Sequence, residues 1–367
     1  MKIGLLTLTP SHNYGGILQT VSLYSYLESL GHEVVLIDSR VLTPTWKKLI
    51  FKILEITPFQ NIKNIRGSKI KAFQLSPFLK EYLPNISEGI YHSTHLKQLV
   101  EKNKFDAVVV GSDQVWRYQY IKEGDYSAYF LNFKVGFPVK KIAYAASFGK
   151  DSWEAPAEID KVKALMKEFN AVSVREKNGI DLCRDLFDFK EGKYVLDPTM
   201  LVGDEFYEKF IVDDVSAVAI MPIVTYFLDE NDSKTKIVNS AVKSNSTVNK
   251  SLQIVSLGKK NNGKFYSVED WLSNIKNANF VITDSFHGML FSILFKKQFL
   301  VIGNPERGLA RFISFLSIVG LESRLLLPEN SFDLEGTVNS VIDYENITLE
   351  IEKLRAISKQ FLLGALE

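Results

Sequence analysis

Residues 2–38 read KIGLLTLTPSHNYGGILQTVSLYSYLESLGHEVVLID, and three apolar segments divide them. Ile3 to Leu8 has the character of a buried strand. Ile17 to Leu30 carries apolar residues at helical spacing, and Gly31 ends that helix because glycine accepts the left-handed backbone that closes a last turn. Glu33 to Asp38 (EVVLID) is the next strand. Strand, helix and strand in so short a span form a βαβ unit, whose strands are parallel and whose helix covers one sheet face.

The alternation continues. Strands are expected at Ala107–Val110, Lys141–Ala145, Ala171–Val174 and Tyr194–Leu196. A second series begins near residue 216 with AVAIMPIV, followed by LQIVSLG (252–258), FVITD (280–284), FLVIG (299–303) and RLLL (324–327). At 367 residues the chain is long for one core, so two domains are expected. The pattern gives an α/β chain of two Rossmann-like domains facing across a cleft. Their expected bounds are 1–202 and 203–345, with a C-terminal helix over 346–367 packing back on the first domain. The polar stretch 229–250 reads as hinge and surface material.

Composition narrows the function. The formal net charge is +1, without the basic excess of a dedicated nucleic-acid binder. Cys183 is the single cysteine, so neither a disulfide framework nor a cysteine metal site is available. No metal or organic cofactor is called for. The opening apolar run is too short for a signal peptide, and no apolar stretch approaches the roughly 20 residues that span a bilayer. A cytoplasmic protein is expected.

Polar clusters fall at the carboxyl ends of the predicted strands, where open parallel sheets bind ligands. After the first strand, Ser11-His12-Asn13-Tyr14-Gly15-Gly16 offers two glycines and a helix N-terminus. This suits a phosphate or sugar hydroxyl, with Asn13 and Gln19 as hydrogen-bonding groups, or else is a tight turn. Gly111-Ser112-Asp113-Gln114-Val115-Trp116 sets a carboxylate, an amide and an aromatic in one turn, as sugar sites do; Asp113 could instead cap a helix. Arg175 ends a strand as a bidentate anion clamp, with a surface ion pair to Glu176 or Asp181 as the plain alternative. Asp197 before Pro198 reads as a helix cap. In TDSFHGML (283–290), Asp284 and Ser285 cap the following helix. His287 sits in its first turn, an imidazole suited to proton transfer, and Gly288 leaves room for a ligand. Arg307 and Arg311, in GNPERGLARF, reach the same rim, one as a second clamp and the other as a structural pair.

Taken together, NYGGILQTVSLYSYLESLGHEVVLID, DAVVVGSDQVW, KKIAYAASFG, SVREKNG, VLDPTML and FVITDSFHGMLFSILFKKQFLVI resemble the polysaccharide pyruvyl transferase family over nearly the whole chain. The resemblance implies a fold similar to GT-B glycosyltransferases, with an acceptor side in the first domain and a phosphoenolpyruvate side in the second. It implies transfer of an enolpyruvyl group from phosphoenolpyruvate to two sugar hydroxyls, giving a cyclic ketal for cell-surface polysaccharide. The family's arginine maps onto Arg175, its histidine onto His287, and a basic residue that is lysine in some members onto Arg307, with Arg311 close enough to compete. A nucleotide-sugar glycosyltransferase and a non-catalytic sugar- or phosphate-binding module are the rival readings.

Residues 46–71 carry Lys47, Lys48, Lys52, Lys63, Arg66, Lys69 and Lys71 against Glu55 as the one acid, interleaved with apolar residues. This is either a surface helix or, because the family's saccharide acceptor is often lipid-linked, a peripheral membrane contact.

Overall fold

A computed structural model describes residues 1–40, 60–211, 223–244, 254–260, 264–327 and 332–367, with side chains of the second span from Ser68 onward. Residues 46–59 of the basic segment and 216–222 of the expected strand lie outside the described residues. Contacts group the chain into two compact units, 1–198 with 357–367, and 199–356. The sequence had suggested 202/203 as the division.

The first unit holds β1 (Lys2–Leu6), β2 (Glu33–Ile37), β3 (Ala107–Val110), β4 (Lys140–Ala146), β5 (Ala171–Val174) and β6 (Lys193–Tyr194). They pair in the order β2-β1-β3-β4-β5-β6, all parallel. In β3 the run Ala-Val-Val-Val is buried at every position, because helices cover both faces and no polar alternation is needed. The Tyr14–Ser29 helix follows β1, and twelve of its sixteen residues are buried. Its Gly31 has φ +82, as a glycine just past a helix end should. An aromatic layer of Trp116, Phe130, Phe148, Trp153 and Phe187 fills the side beyond β3.

Residues 357–367, the end of the Tyr344–Leu366 helix, belong to this unit. Ser358 Oγ accepts from the Leu196 amide at 2.9 Å, and Leu366 O accepts from Lys140 Nζ at 3.0 Å. Phe361 lies 6.4 Å from the Tyr144 ring.

The second unit holds β7 (Ile223–Tyr226), β8 (Ile254–Ser256), β9 (Phe280–Thr283), β10 (Gln298–Ile302) and β11 (Leu325–Leu326). Their order is β11-β10-β9-β7-β8, again all parallel. Ile223, Phe280, Ile282, Leu300 and Ile302 form its core with Val238, Ala241 and Val338. Burying each large side chain contributes about 1.5–3 kcal/mol.

Strand order reverses between β1 and β3 in the first sheet and between β7 and β9 in the second. Loops leaving the two strands on either side of such a reversal diverge to opposite faces, which opens a crevice at the sheet's carboxyl edge. The chain has one such edge in each unit.

Candidate functional site

At the first reversal, Asn13 caps the Tyr14–Ser29 helix: its extended backbone lets Oδ1 accept from the Gly15 amide at 3.1 Å. A Cβ at Gly16 would lie in ordinary contact with Asn13 Cβ at 3.7 Å, Asn13 Cγ at 3.9 Å and Asp113 Oδ2 at 3.9 Å. The loops after β1 and β3 therefore meet here, at a buried Gly16. Gln19 departs from expectation. It lies six residues into the chain after the cap and faces the sheet, where Nε2 donates to Thr7 Oγ1 (3.2 Å), Gly16 O (3.1 Å) and Thr20 Oγ1 (2.7 Å). It is fully buried, an internal brace rather than a group presented to a ligand.

The turn after β3 divides its polar residues between bracing and display. Ser112 is buried and donates to Ala145 O at 3.0 Å, and Gln114 Oε1 accepts from Arg117 Nη1 at 3.0 Å. Trp116 corrects the expected sugar platform: it is fully buried, stacked on Phe130 at 5.3 Å, with Nε1 donating to Tyr129 O. Asp113 alone faces outward, its side chain 14% exposed. Its backbone is left-handed, φ 68. An aspartate held there costs about 1–3 kcal/mol unless its surroundings fix it.

Arg175 supplies that fixing. Its Nη2 lies 3.1 Å from Asp113 Oδ1 and its Nη1 2.5 Å from Asp197 Oδ2. The guanidinium is 1% exposed and Asp197 equally buried. Burial pulls the Arg175 pKa down, but Asp197, Asp113 and Glu176 outweigh it, so the net shift is upward and the group stays charged. This is neither the surface pair with Glu176 or Asp181 nor a guanidinium open to solvent. Glu176 accepts instead from Ser147 Oγ, Phe148 N and Gly149 N. Asp181 pairs with Arg184. Asp197, directly before the Pro198–Leu201 helix as expected of a cap, is also the inner partner of Arg175.

At the second reversal, Ser285 is the N-cap of the Phe286–Leu294 helix and its Oγ accepts from the Gly288 amide at 3.3 Å. His287 lies in the first turn, 5% exposed. Its ring centroid is 5.6 Å from that of Phe286, and the Arg311 guanidinium sits 5.1 Å over the Phe286 ring. The space at Gly288 is not a ligand's: a Cβ there would lie 2.5 Å from Thr283 Oγ1. Glycine is required so that the helix can close on β9.

Asp284 does not join the cap. Its carboxylate turns back to accept from Leu228 N (2.7 Å), Asp229 N (3.3 Å) and Lys234 Nζ (2.5 Å). Lys234 also donates to Asp229 O at 2.5 Å. Arg307 grips the Asp229 carboxylate with both edges of its fork, Nε to Oδ2 at 2.5 Å and Nη2 to Oδ1 at 2.7 Å. Arg311 Nη2 donates to Arg307 O at 3.2 Å.

Asp197, Asp229 and Lys234 were not singled out from the sequence as site residues. Asp229 and Lys234 fall in the stretch read as surface. The available signal was position, since Asp229 comes three residues after the last residue of β7. Among the described residues no group of His, Cys, Asp and Glu is arranged to hold a metal ion, and no helix is long and apolar enough to cross a membrane.

In overall structure the chain is similar to a UDP-N-acetylglucosamine 2-epimerase from Rickettsia bellii. The TM-score is 0.52 at 12% identity, covering 100% of this chain and 97% of that one. MurG of Acinetobacter baumannii aligns with a TM-score of 0.46 at 11% identity, over 99% of this chain and 98% of that one. At such identities the epimerase likeness speaks for the fold alone, two Rossmann-like domains of the GT-B type. No curated protein matches the sequence. The sequence model of one family does match, over residues 13–306. That span begins at the Asn13 cap, includes Asp113, Arg175 and His287, and ends at Glu306, one residue before Arg307. The chain belongs to the polysaccharide pyruvyl transferase family.

Proposed function

We propose that the protein transfers the enolpyruvyl group of phosphoenolpyruvate to a hydroxyl pair of a saccharide, forming a cyclic pyruvate ketal in cell-surface polysaccharide synthesis. The observation that carries this reading is His287 in the first turn of a Ser285-capped helix, with Arg311 held over the adjacent Phe286 ring. Phosphoenolpyruvate bears a phosphate and a carboxylate. A helix N-terminus and guanidinium groups suit both anions.

In this mechanism His287 gives a proton to the methylene carbon of phosphoenolpyruvate, which becomes the methyl group and leaves an oxocarbenium-like carbon beside it. A sugar hydroxyl attacks that carbon and forms the first C–O bond. His287, now without its proton, takes the one this hydroxyl releases. The C–O bond to phosphate breaks, and the second hydroxyl closes the ring as its proton leaves with inorganic phosphate. Ser285 holds the helix start, and Arg307 or Arg311 binds the donor's anionic groups.

The second unit takes the donor role in this proposal and the first the acceptor role. Asp113 is the group offered to a sugar hydroxyl, beside the first turn of the helix at Gly16. Arg175 keeps that carboxylate aimed. A lipid-linked acceptor would bring the protein to the inner face of the cell membrane, with the basic segment 46–71 as a peripheral contact.

The test is phosphate release from phosphoenolpyruvate against a panel of lipid-linked saccharides, with sugar nucleotides as alternative donors. Acceptor-dependent phosphate release is expected. Nucleoside diphosphate release from a sugar nucleotide would move the protein to glycosyl transfer. Ligand binding with neither product would leave a binding module.

A further inference from the structure

Two ion pairs flank the second sheet's reversal, and they differ in kind. Lys234 and Asp284 are 7% and 0% exposed, sealed in the fold. Arg307 and Asp229 are 38% and 45% exposed, open to a ligand from solvent. The Leu228–Asp229 turn after β7 is pinned through its main chain, by Asp284 on the two amides and by Lys234 on the Asp229 carbonyl. The Asp229 carboxylate is held separately, by Arg307 and by Asn304 Nδ2 at 3.2 Å. Both of those groups come from the turn after β10. The carboxylate can therefore be released without moving the backbone that carries it.

We propose that Asp229 is a resident anion occupying the Arg307 fork, an affinity-setting residue that an incoming donor anion must displace. The inference rests on the reading of Arg307 as a donor clamp. A carboxylate side-on to a guanidinium is the arrangement a substrate carboxylate or phosphate would adopt. The hydrogen bonds from Arg307 hold the Asp229 carboxyl below the usual carboxylate range, with burial opposing and the Arg307 and Lys234 charges helping. Asp229 thus remains ionised and competes at any neutral pH. An exposed pair contributes only about 0–1 kcal/mol, so exchange is easy for a doubly charged anion and unfavourable for a weak one. Asp229 opposes every anion at the fork by the same factor, so it sets the affinity a donor must exceed and leaves the ranking among donors to their own contacts with Arg307.

The experiment measures Kd for inorganic phosphate and for phosphoenolpyruvate, with phosphoenolpyruvate KM, in wild type, Asp229→Asn, Arg307→Ala and the double variant. Asp229→Asn should tighten both ligands by up to about 5-fold, the equivalent of an exposed pair, and should tighten a monoanionic analogue by the same factor. Arg307→Ala should weaken binding and abolish the effect of Asp229→Asn. Weaker or unchanged binding in Asp229→Asn, with Arg307→Ala still weakening it, overturns the resident-anion role and leaves the clamp standing. Unchanged binding in Arg307→Ala overturns the clamp itself, and Arg311→Ala then shows whether Arg311 holds the donor.

Discussion

Lys234 Nζ lies 2.5 Å from Asp284 Oδ2 in a pair closed to solvent, and this pair ties the turn after β7 to the start of the His287 helix. A buried pair adds little over apolar packing, but removing one partner strands the other. Lys234→Met should therefore destabilise the protein by about 3–5 kcal/mol, read from urea unfolding at unchanged m-value. A loss below about 1 kcal/mol, the range of an exposed pair, would mean that water reaches Asp284 and that the pair is no anchor.

Arg175 and Asp113 are separable by the same reasoning. Arg175→Ala leaves Asp197, itself 1% exposed, without its charge partner, at a cost of about 3–5 kcal/mol. Any rise in KM would then be entangled with damage to the fold. Asp113→Asn keeps the inner pair, so its cost should stay within about 1–3 kcal/mol, while the acceptor KM rises. Equal destabilisation by both variants, with acceptor KM unmoved in Asp113→Asn, would make Asp113 a brace.

The sequence was most legible where a single element determined the answer. The βαβ reading of residues 2–38 and the position of each polar cluster at a strand's carboxyl end required only periodicity and turn chemistry. What stayed hidden was which way each side chain in a turn would point. Ser112, Asp113 and Gln114 are chemically alike as ligand groups, and only the left-handed backbone at Asp113 sends one outward and the others in. The Arg175–Asp197 pair joins the ends of β5 and β6 across 22 residues, a partnership set by sheet order. Asp229 was missed because a polar run after a strand looks like surface until its carboxylate is seen in an arginine fork.

His287 is assigned proton transfer, so His287→Gln should lower turnover by about 10²–10⁴-fold, with phosphoenolpyruvate affinity far less affected. Steady-state kinetics beside direct phosphoenolpyruvate binding separates the two. Near-normal turnover in a folded variant would remove the histidine from the chemistry.

Lys71 gives a pH signature in the first unit. Its Nζ lies 3.8 Å above the Tyr14 ring, and burial lowers its pKa from 10.5 to about 8. Burial, then the Lys71 charge, also lowers the pKa of His12 beside it. Because the folded pKa is the lower one, the unfolded chain binds more protons between those values, and stability from this group rises with pH there. Below about pH 8 the penalty of burying the charged lysine is fully present. Lys71→Met removes the dependence. Whatever its sign at pH 7.5, the stability difference between variant and wild type should move against the variant by pH 10. A difference that stays flat over that range would place the lysine in water.

The proposed membrane contact makes the most exposed claim on the surface. On the Gln60–Tyr82 helix Phe73 is 80% exposed and Ile70 46%, two apolar side chains three residues apart that an apolar surface could cover. Lys71 is turned onto Tyr14, so it does not add to that face. Lys47, Lys48 and Lys52 precede the helix in sequence and lie outside the described residues. Near an anionic bilayer each basic residue contributes about 1 kcal/mol, and an inserted aromatic side chain adds apolar area to that. Binding should then be peripheral, reversible and weakened by salt, because the charge contribution is screened within a Debye length. Co-sedimentation with anionic and neutral liposomes at low and high salt reads both contributions. Lys47/Lys48/Lys52→Glu should remove the preference for anionic vesicles, and Phe73→Ser should weaken pelleting at every salt concentration. Absence of the wild type from both pellets at low salt would sink the membrane contact.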